Sequence, residues 1–233
     1  MKTVILHILC EGQTEDAFVS KVLKPYLQQF DIHAKSEILI TSRKKNARGG
    51  MLRYETQAKR DLNNMMLQNQ DNDYEHHVFT TMFDYYALPD DFPAFKEAHK
   101  CPDIRKRIDL LEEAFSKDIG STVFIPYIQL HEFEALLYVD IDKLKVDYPD
   151  AAKKIDKLKI EADKIGDPEL INNKPDTAPS KRIIKALQGK YNYNKVLSGA
   201  DITKQIGMER LMGTCTHFRE WIEKIISQCR NTP

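Results

Sequence analysis

The sequence predicts an α/β protein built on a mostly parallel four-stranded sheet flanked by helices, and three observations predict it. Four β-rich apolar runs recur along the chain, each followed by a segment with helical rather than alternating periodicity. Two of those runs stop abruptly at an acid. Beyond residue 140 the strand signals cease and amphipathic helical patterns take over, which predicts a core over 1–140 and a helical extension over 141–233 folded back on it.

Val4, Ile5, Leu6, Ile8 and Leu9 make the first run, which reads as a buried strand delivering Glu11 to a turn at Gly12. Open α/β sheets place their ligands at the carboxyl ends of strands, so Glu11 is a candidate site residue by position. Gly12 is expected to supply a backbone angle that other residues resist, and Thr14 to cap a helix carrying Phe18 and Val22 on one face. Glu15 and Asp16 occupy its first turn, where negative charge suits the helix dipole. Pro25 kinks or restarts that helix.

A second strand is expected over 34–41. Ser42 to Gly50, with Arg43, Lys44, Lys45, Arg48 and a closing Gly49-Gly50 pair, has neither period and reads as a mobile basic loop. Such a loop is either a solvated surface or a contact for phosphates near the Glu11 end of the sheet. Leu52, Ala58, Leu62, Met65 and Met66 recur at helical spacing, and His76 to Asp84 forms a third strand ending in an acid, with Leu88-Pro89 just beyond. A short helical turn over 91–98 and a longer helix over 102–117 lead to Thr122–Ile128, a fourth strand whose Pro126 places it near an edge or a strand end.

Gln129 to Tyr138 reads as a helix opening in acids and turning very apolar. At about 200° of separation on an α-helix, only one of Glu132 and Glu134 would face the sheet end. Further helices are expected over 150–164, from Ser180 onward, and over 215–229, where Phe218, Trp221, Ile222, Ile225 and Ile226 share a face.

Composition removes several function classes. Lys plus Arg equals Asp plus Glu at 35 each, so no global basic field drives indiscriminate nucleic-acid binding, and any such contact must be a local patch. The four cysteines are scattered without a Cys-x-x-Cys pair, which disfavours a zinc ribbon or disulfide framework. No apolar stretch approaches a membrane span or signal peptide, so a cytoplasmic protein is expected. His131-Glu132-Phe133-Glu134 lacks the second histidine of a metallopeptidase and the Cys-x-x-Cys of a deaminase. Neither a phosphate-binding glycine loop nor a nucleophile elbow is present.

Carboxylates remain. Glu11 and Asp84 end different strands and Glu15 lies one helical turn beyond Glu11, so three acids can converge. Converging carboxylates repel unless a cation joins them, and Mg²⁺ takes oxygen ligands of this kind. The bland readings are a helix-start acid for Glu15, turn caps for Glu11 and Asp84, and a supporting histidine for His131.

The motifs Glu11-Gly12-Gln13-Thr14-Glu15, Asp84-Tyr85-Tyr86-Ala87-Leu88-Pro89 and His131-Glu132-Phe133-Glu134-Ala135-Leu136-Leu137, together with Pro179-Ser180-Lys181-Arg182 and Phe218-x-x-Trp221, resemble the TOPRIM superfamily. More closely, they resemble a prokaryotic TOPRIM-like family related to the nuclease domains of overcoming-lysogenisation-defect proteins. The resemblance spans nearly the whole chain and implies a Rossmann-like TOPRIM sheet. It also implies an acidic cluster binding Mg²⁺ or Mn²⁺ and hydrolysing a DNA or RNA phosphodiester. It makes Glu11 the first-strand glutamate and Asp84 the first aspartate of the superfamily's Asp-x-Asp, whose second aspartate is here Tyr86. Glu134, or Glu132, is then the natural replacement ligand, Glu15 a further one, and His131 a support behind them. Lys181 takes the role of a lysine stabilising charge on phosphate. Proteins of this kind resemble effectors that act with an ABC-type ATPase partner in phage defence. Two further functions stay open: a regulatory or toxin-like subunit that binds such a partner with little catalysis, and a hydrolase of small phosphate esters.

Overall fold

A computed structural model describes residues 2–42, 47–171, 177–188 and 192–230. Its centre is β1 (Thr3–Cys10), buried over its last six residues and followed at once by helix α1 (Gln13–Phe18). The helix widens over Val19–Leu23 and tightens again into α2 (Lys24–Leu27), where Pro25 has no amide to give the turn before it. The chain returns as β2 (Ile32–Ile38), parallel to β1, after a left-handed turn at Asp31.

A short antiparallel pair follows, β3 (Ile40–Ser42) with β4 (Ala47–Arg48), an element absent from the sequence reading. Arg43, Lys44 and Lys45 lie outside the described residues, and of Arg48 only the backbone is described. The pair closes on the first strand's end: Leu39 N donates to Cys10 O at 3.0 Å and Gly50 N to Glu11 O at 3.0 Å. Gly49 has a φ of 92°, and a Cβ there would meet Gly12 Cα at 3.6 Å.

The segment Tyr54–Ala58 and helix α3 (Lys59–Gln68) lead to β5 (Glu75–Asp84), parallel to β1 and buried along most of its length. Then come the short α4 (Phe95–Ala98) and α5 (Ile104–Ile119), closed by left-handed Gly120. The fourth strand is split at Pro126-Tyr127 into β6 (Phe124–Ile125) and β7 (Ile128–Gln129), both parallel to β5. The main sheet therefore runs β2-β1-β5 with β6 and β7 sharing the outer position. A mostly parallel sheet flanked by helices is what the strand–helix alternation predicts.

The expected helix over 129–138 forms differently. Leu130 to Glu132 stay irregular, with His131 at a φ of 62°, and a 3-10 stretch then covers Phe133–Lys143. Beyond it stand α6 (Leu144–Asp147), α7 (Ala152–Ile165), α8 (Pro179–Leu187), α9 (Lys195–Ile206), α10 (Met208–Thr214) and α11 (Thr216–Arg230). The sequence reading finds α7, α8 and α11 but not α9 or α10.

Two apolar cores result. One, between the sheet and α3 and α5, holds Leu9, Tyr54, Phe83 and Phe115. The other joins the opposite face of the sheet to the C-terminal helices through Leu6, Ile8, Phe18, Phe133, Phe218 and Trp221. Helix α11 is anchored by buried polar groups as well. The Glu169 carboxylate, with no exposed surface, accepts the amides of His217 (2.8 Å) and Phe218 (3.0 Å) at the helix start and pairs with Arg105 at 3.2 Å. Trp221 stacks on Tyr127 at 4.1 Å and donates its indole N–H to Thr80 Oγ1 in the middle of β5 at 2.9 Å. Replacing Trp221 by Ala removes that whole filling, so we expect a loss of about 3–5 kcal/mol, and a smaller one for Trp221→Phe, which keeps one aromatic ring but forfeits the hydrogen bond and part of the filling. Urea denaturation followed by circular dichroism measures both.

Candidate acidic site

Parallel pairing of β1 with β5 brings Cys10 opposite Met82, so the residues that follow, Glu11 and Asp84, emerge at the same edge. The Glu11 backbone N–H donates to Met82 O at 3.0 Å, and the Glu11 Oε2 accepts the backbone N–H of Asp84 at 3.0 Å. Asp84 in turn accepts the backbone N–H of Phe133 on Oδ1 at 3.0 Å, which fixes the start of the 3-10 stretch beside it. Each carboxylate thus has one oxygen held by an amide, and the other accepts no hydrogen bond among the described residues.

Glu15 joins from the first helical turn. Its Oε2 accepts the Gly12 N–H at 2.8 Å, half of a capping box. Gly12 itself has a φ of −150°, extended backbone open to any residue. Space there is tight for a different reason than the expected one: a Cβ would lie 3.3 Å from the Glu15 carboxylate, which would have to give by a few tenths of an ångström. The cap is Gly12 with Glu15, not Thr14.

Glu132 and Glu134 do not diverge. Glu132 has extended backbone (φ −155°, ψ 163°), so the 100° step of an α-helix does not separate the two side chains. Both converge on one cation: Lys195 Nζ lies 3.3 Å from Glu134 and 3.7 Å from Glu132. Glu132 also accepts the backbone N–H and the hydroxyl of Ser180, at 2.8 and 2.9 Å. Glu134 is 2% exposed, and its Oε1 accepts no hydrogen bond despite the nearby ammonium.

Lys195 and Ser180 are the site residues the sequence reading misses. Lys195 opens α9 just after Asn194, whose side chain accepts the Leu197 amide as an N-cap. Gly199, one turn on, presses against Phe133; a Cβ there would come within 3.0 Å of the ring and 3.3 Å of Thr14. That near-contact lets α9 lie close enough to put Lys195 over the acids. The signal in the sequence is an Asn-Lys start with an internal glycine, which is weak on its own.

Two expected partners lie elsewhere. The Lys181 side chain is exposed on α8 and lines a surface cleft with Lys154, Lys157 and Arg182; it makes no ion pair with the acids. His131 is buried, meets the Tyr86 ring at 5.3 Å in a tilted contact, and has no hydrogen-bond partner on either ring nitrogen among the described residues. Tyr86 turns toward His131 in a cavity of about 310 Å³ that Tyr85, His99 and Arg107 also line. His131 is held neutral, its pKa pushed down to about 4 by burial and by Arg107.

Crowding of carboxylates raises their affinity for protons. Burial, Glu15 and Glu132 push Glu11 up to about 8, against the opposing Asp84 amide and Lys195. Asp84 is raised well above its ordinary value by burial and then by Glu15, Glu11, Glu134 and Glu132. Glu15 is raised chiefly by burial, and Glu134 is pushed up to about 7 by burial, with Lys195 opposing. The Glu11, Glu15 and Asp84 side chains offer carboxylate oxygens, which suit a hard divalent ion. Among the described residues no group of three His, Cys, Asp or Glu side chains stands ready to hold a metal. A Mg²⁺ site needs only one or two protein carboxylates, and Glu11 with Asp84 supply two with an uncommitted oxygen each.

The direction of these shifts dictates a pH dependence of stability. An acid whose folded pKa exceeds its unfolded one binds more protons when folded, so its stabilising protonation is complete below pH 4.5 and is lost as pH rises toward about 8. Without divalent ions, Glu11→Gln should therefore melt higher than the parent protein at pH 8, by about 3 °C or more, and the gap should close at pH 5. Adding Mn²⁺ at pH 8 should raise the melting point of the parent and not of the variant. Thermal melts across pH measure it.

A comparison with curated proteins gives no significant match. Among solved structures, the C-terminal region of the Xanthomonas campestris pv. campestris OLD protein is similar over 97% of this chain and 95% of its own, at 14% identity and a TM-score of 0.41. Residues 10–226 match a family model, from just before Glu11 to within α11, and the chain belongs to that family, the domain of unknown function DUF4276.

Proposed function

We propose that the chain is a nuclease that hydrolyses a DNA or RNA phosphodiester with Mg²⁺ or Mn²⁺ at Glu11 and Asp84. The observation that carries this reading is the hydrogen bond from the Asp84 amide to the Glu11 carboxylate, which locks two half-buried acids side by side at one sheet edge. Burying acids together raises their pKa values and costs stability, and a cation recovers that cost. The motif resemblance to TOPRIM proteins supports the same assignment.

A divalent ion bound there would polarise the scissile phosphate and lower the pKa of a water. The chain's own residues do the rest. Glu11 and Asp84 hold their backbone-anchored oxygens fixed, so their free oxygens keep one orientation. Glu15 or Glu134 completes the acidic set, and Glu134, with a pKa of about 7, exchanges a proton readily at neutral pH. Lys195 balances Glu132 and Glu134 and presents a fixed positive charge to phosphate oxygens. The basic stretch of the sequence, Arg43, Lys44, Lys45 and Arg48, would supply further cations to the nucleic acid, and the residues on either side of it, Leu39 and Gly50, donate to the Cys10 and Glu11 carbonyls.

Glu11→Gln and Asp84→Asn should each lower Mn²⁺-supported cleavage of a mixed DNA and RNA substrate set by roughly 100-fold or more, and Lys195→Met by at least 10-fold. Undiminished cleavage in Glu11→Gln overturns the assignment. Release of phosphate from small esters with no nucleic-acid cut would indicate a phosphate-ester hydrolase instead. A second reading, a regulatory subunit that binds an ATPase partner, is supported by the motif resemblance, which makes Tyr86 the counterpart of the second aspartate, and by the contact of the Tyr86 ring with His131. Titration calorimetry separates the two, since a subunit of that kind shows no Mg²⁺ or Mn²⁺ binding that depends on Glu11.

A further inference from the structure

Helices α7 and α8 enclose a surface cleft of about 350 Å³. Among the described residues, Lys154, Lys157, Lys181, Arg182 and Lys185 line it against a single carboxylate, Glu161. Arg182 is spent on Glu161 at 2.7 Å and on the Thr177 carbonyl at 2.8 Å, and Lys154 donates to the Gln188 carbonyl at 3.3 Å. The ammonium groups of Lys157, Lys181 and Lys185 have no hydrogen-bond or ion-pair partner among the described residues. In a chain with zero net charge, five cations against one acid is local sorting of charge into a concave surface.

The cleft and the acids share an element. Ser180, in the first turn of α8, gives both its amide and its hydroxyl to Glu132, and Lys181 is the next residue. Lys181 and Lys185 stand one helical turn apart, about 6 Å along the axis, so they lead away from the acidic edge in a row. Leu158 and Ala186 give the cleft an apolar floor. Flexible ammonium groups of this kind act as point charges, without the forked geometry that reads a base.

We propose that this cleft seats the sugar–phosphate backbone of the nucleic-acid strand whose phosphodiester lies at Glu11 and Asp84, binding it through Lys157, Lys181 and Lys185 irrespective of sequence. The proposal rests on the nuclease reading for the identity of the polyanion. A small polyphosphate offers the same chemistry from another source.

The test measures binding without divalent ions, so no cleavage is needed to see it. Labelled 20-nucleotide single-stranded DNA and RNA are titrated by fluorescence anisotropy from 50 to 300 mM NaCl with the parent protein, Lys157→Ala/Lys185→Ala, and the charge-matched control Lys24→Ala/Lys100→Ala. For at least one of the two strands, the cleft variant should lose roughly tenfold in affinity at 100 mM NaCl, and its slope of log K against log salt should flatten by about 1.4, two contacts of about 0.7 each. The control should keep the parent's affinity and slope. Equal affinity and slope in the cleft variant, equal loss in the control, or binding of inorganic tripolyphosphate to the cleft lysines with no effect on the strands overturns the proposal. Glu11→Gln separates the two readings. Cleavage lost in that variant while the cleft variant binds normally sinks this inference alone. Cleft-dependent binding by a protein that never cuts sinks the nuclease reading alone.

Discussion

One hydrogen bond organises the functional edge of this molecule: a glutamate at the end of one buried strand accepts the amide that begins the exit from its neighbour. Because β1 and β5 are parallel and in register, their ends arrive together, and the Glu11–Asp84 contact makes that coincidence a fixed distance. Asp84 passes the constraint on by capping the Phe133 amide, Phe133 sets how near α9 can come through Gly199, and α9 carries Lys195. Four segments far apart in sequence are thereby placed relative to one carboxylate.

That placement is unfavourable to the isolated fold. Burial first, and then their mutual repulsion, raises the pKa values of Glu11, Glu15, Asp84 and Glu134, so these acids hold protons more readily than free carboxylates do. Among the described residues Lys195 is the cation that lies against this group, paired with Glu134 and Glu132. The cost is tolerable because the frame around it is rigid: β1 and β5 are buried on both faces, and the two cores on either side are filled by large aromatic and aliphatic groups.

Sequence made the strands and the two strand-end acids legible because both signals are local: an apolar run is contiguous, and a terminal acid sits at its end. The same local logic recovered α5, α7 and α11 from their stripes. It failed where tertiary contact decides. Glu132 and Glu134 were separated by assuming a helix, whereas the Asp84 carboxylate and the extended backbone at Glu132 bring both to one lysine. Lys181 looked suitable because it stands in a distinctive motif, yet Lys195 is the residue seated at the acids. Gly12 is expected for its torsion, yet its backbone is extended and what crowds a side chain there is the Glu15 carboxylate. None of these has a short-range signature, since each depends on what another segment places opposite it.

Trp221 and Glu169 have a bearing on the order in which the protein can mature. A ribosome delivers Glu11 first, Asp84 some seventy residues later, and the helix that covers the sheet last of all. Until residue 221 has emerged, Thr80 in the middle of β5 has no partner for its hydroxyl and one side of the sheet beneath the acids is open to water. The acids are thus encoded early and supported late. A nascent chain carries them on an unsupported edge until synthesis has passed the point where α11 can pack on the sheet.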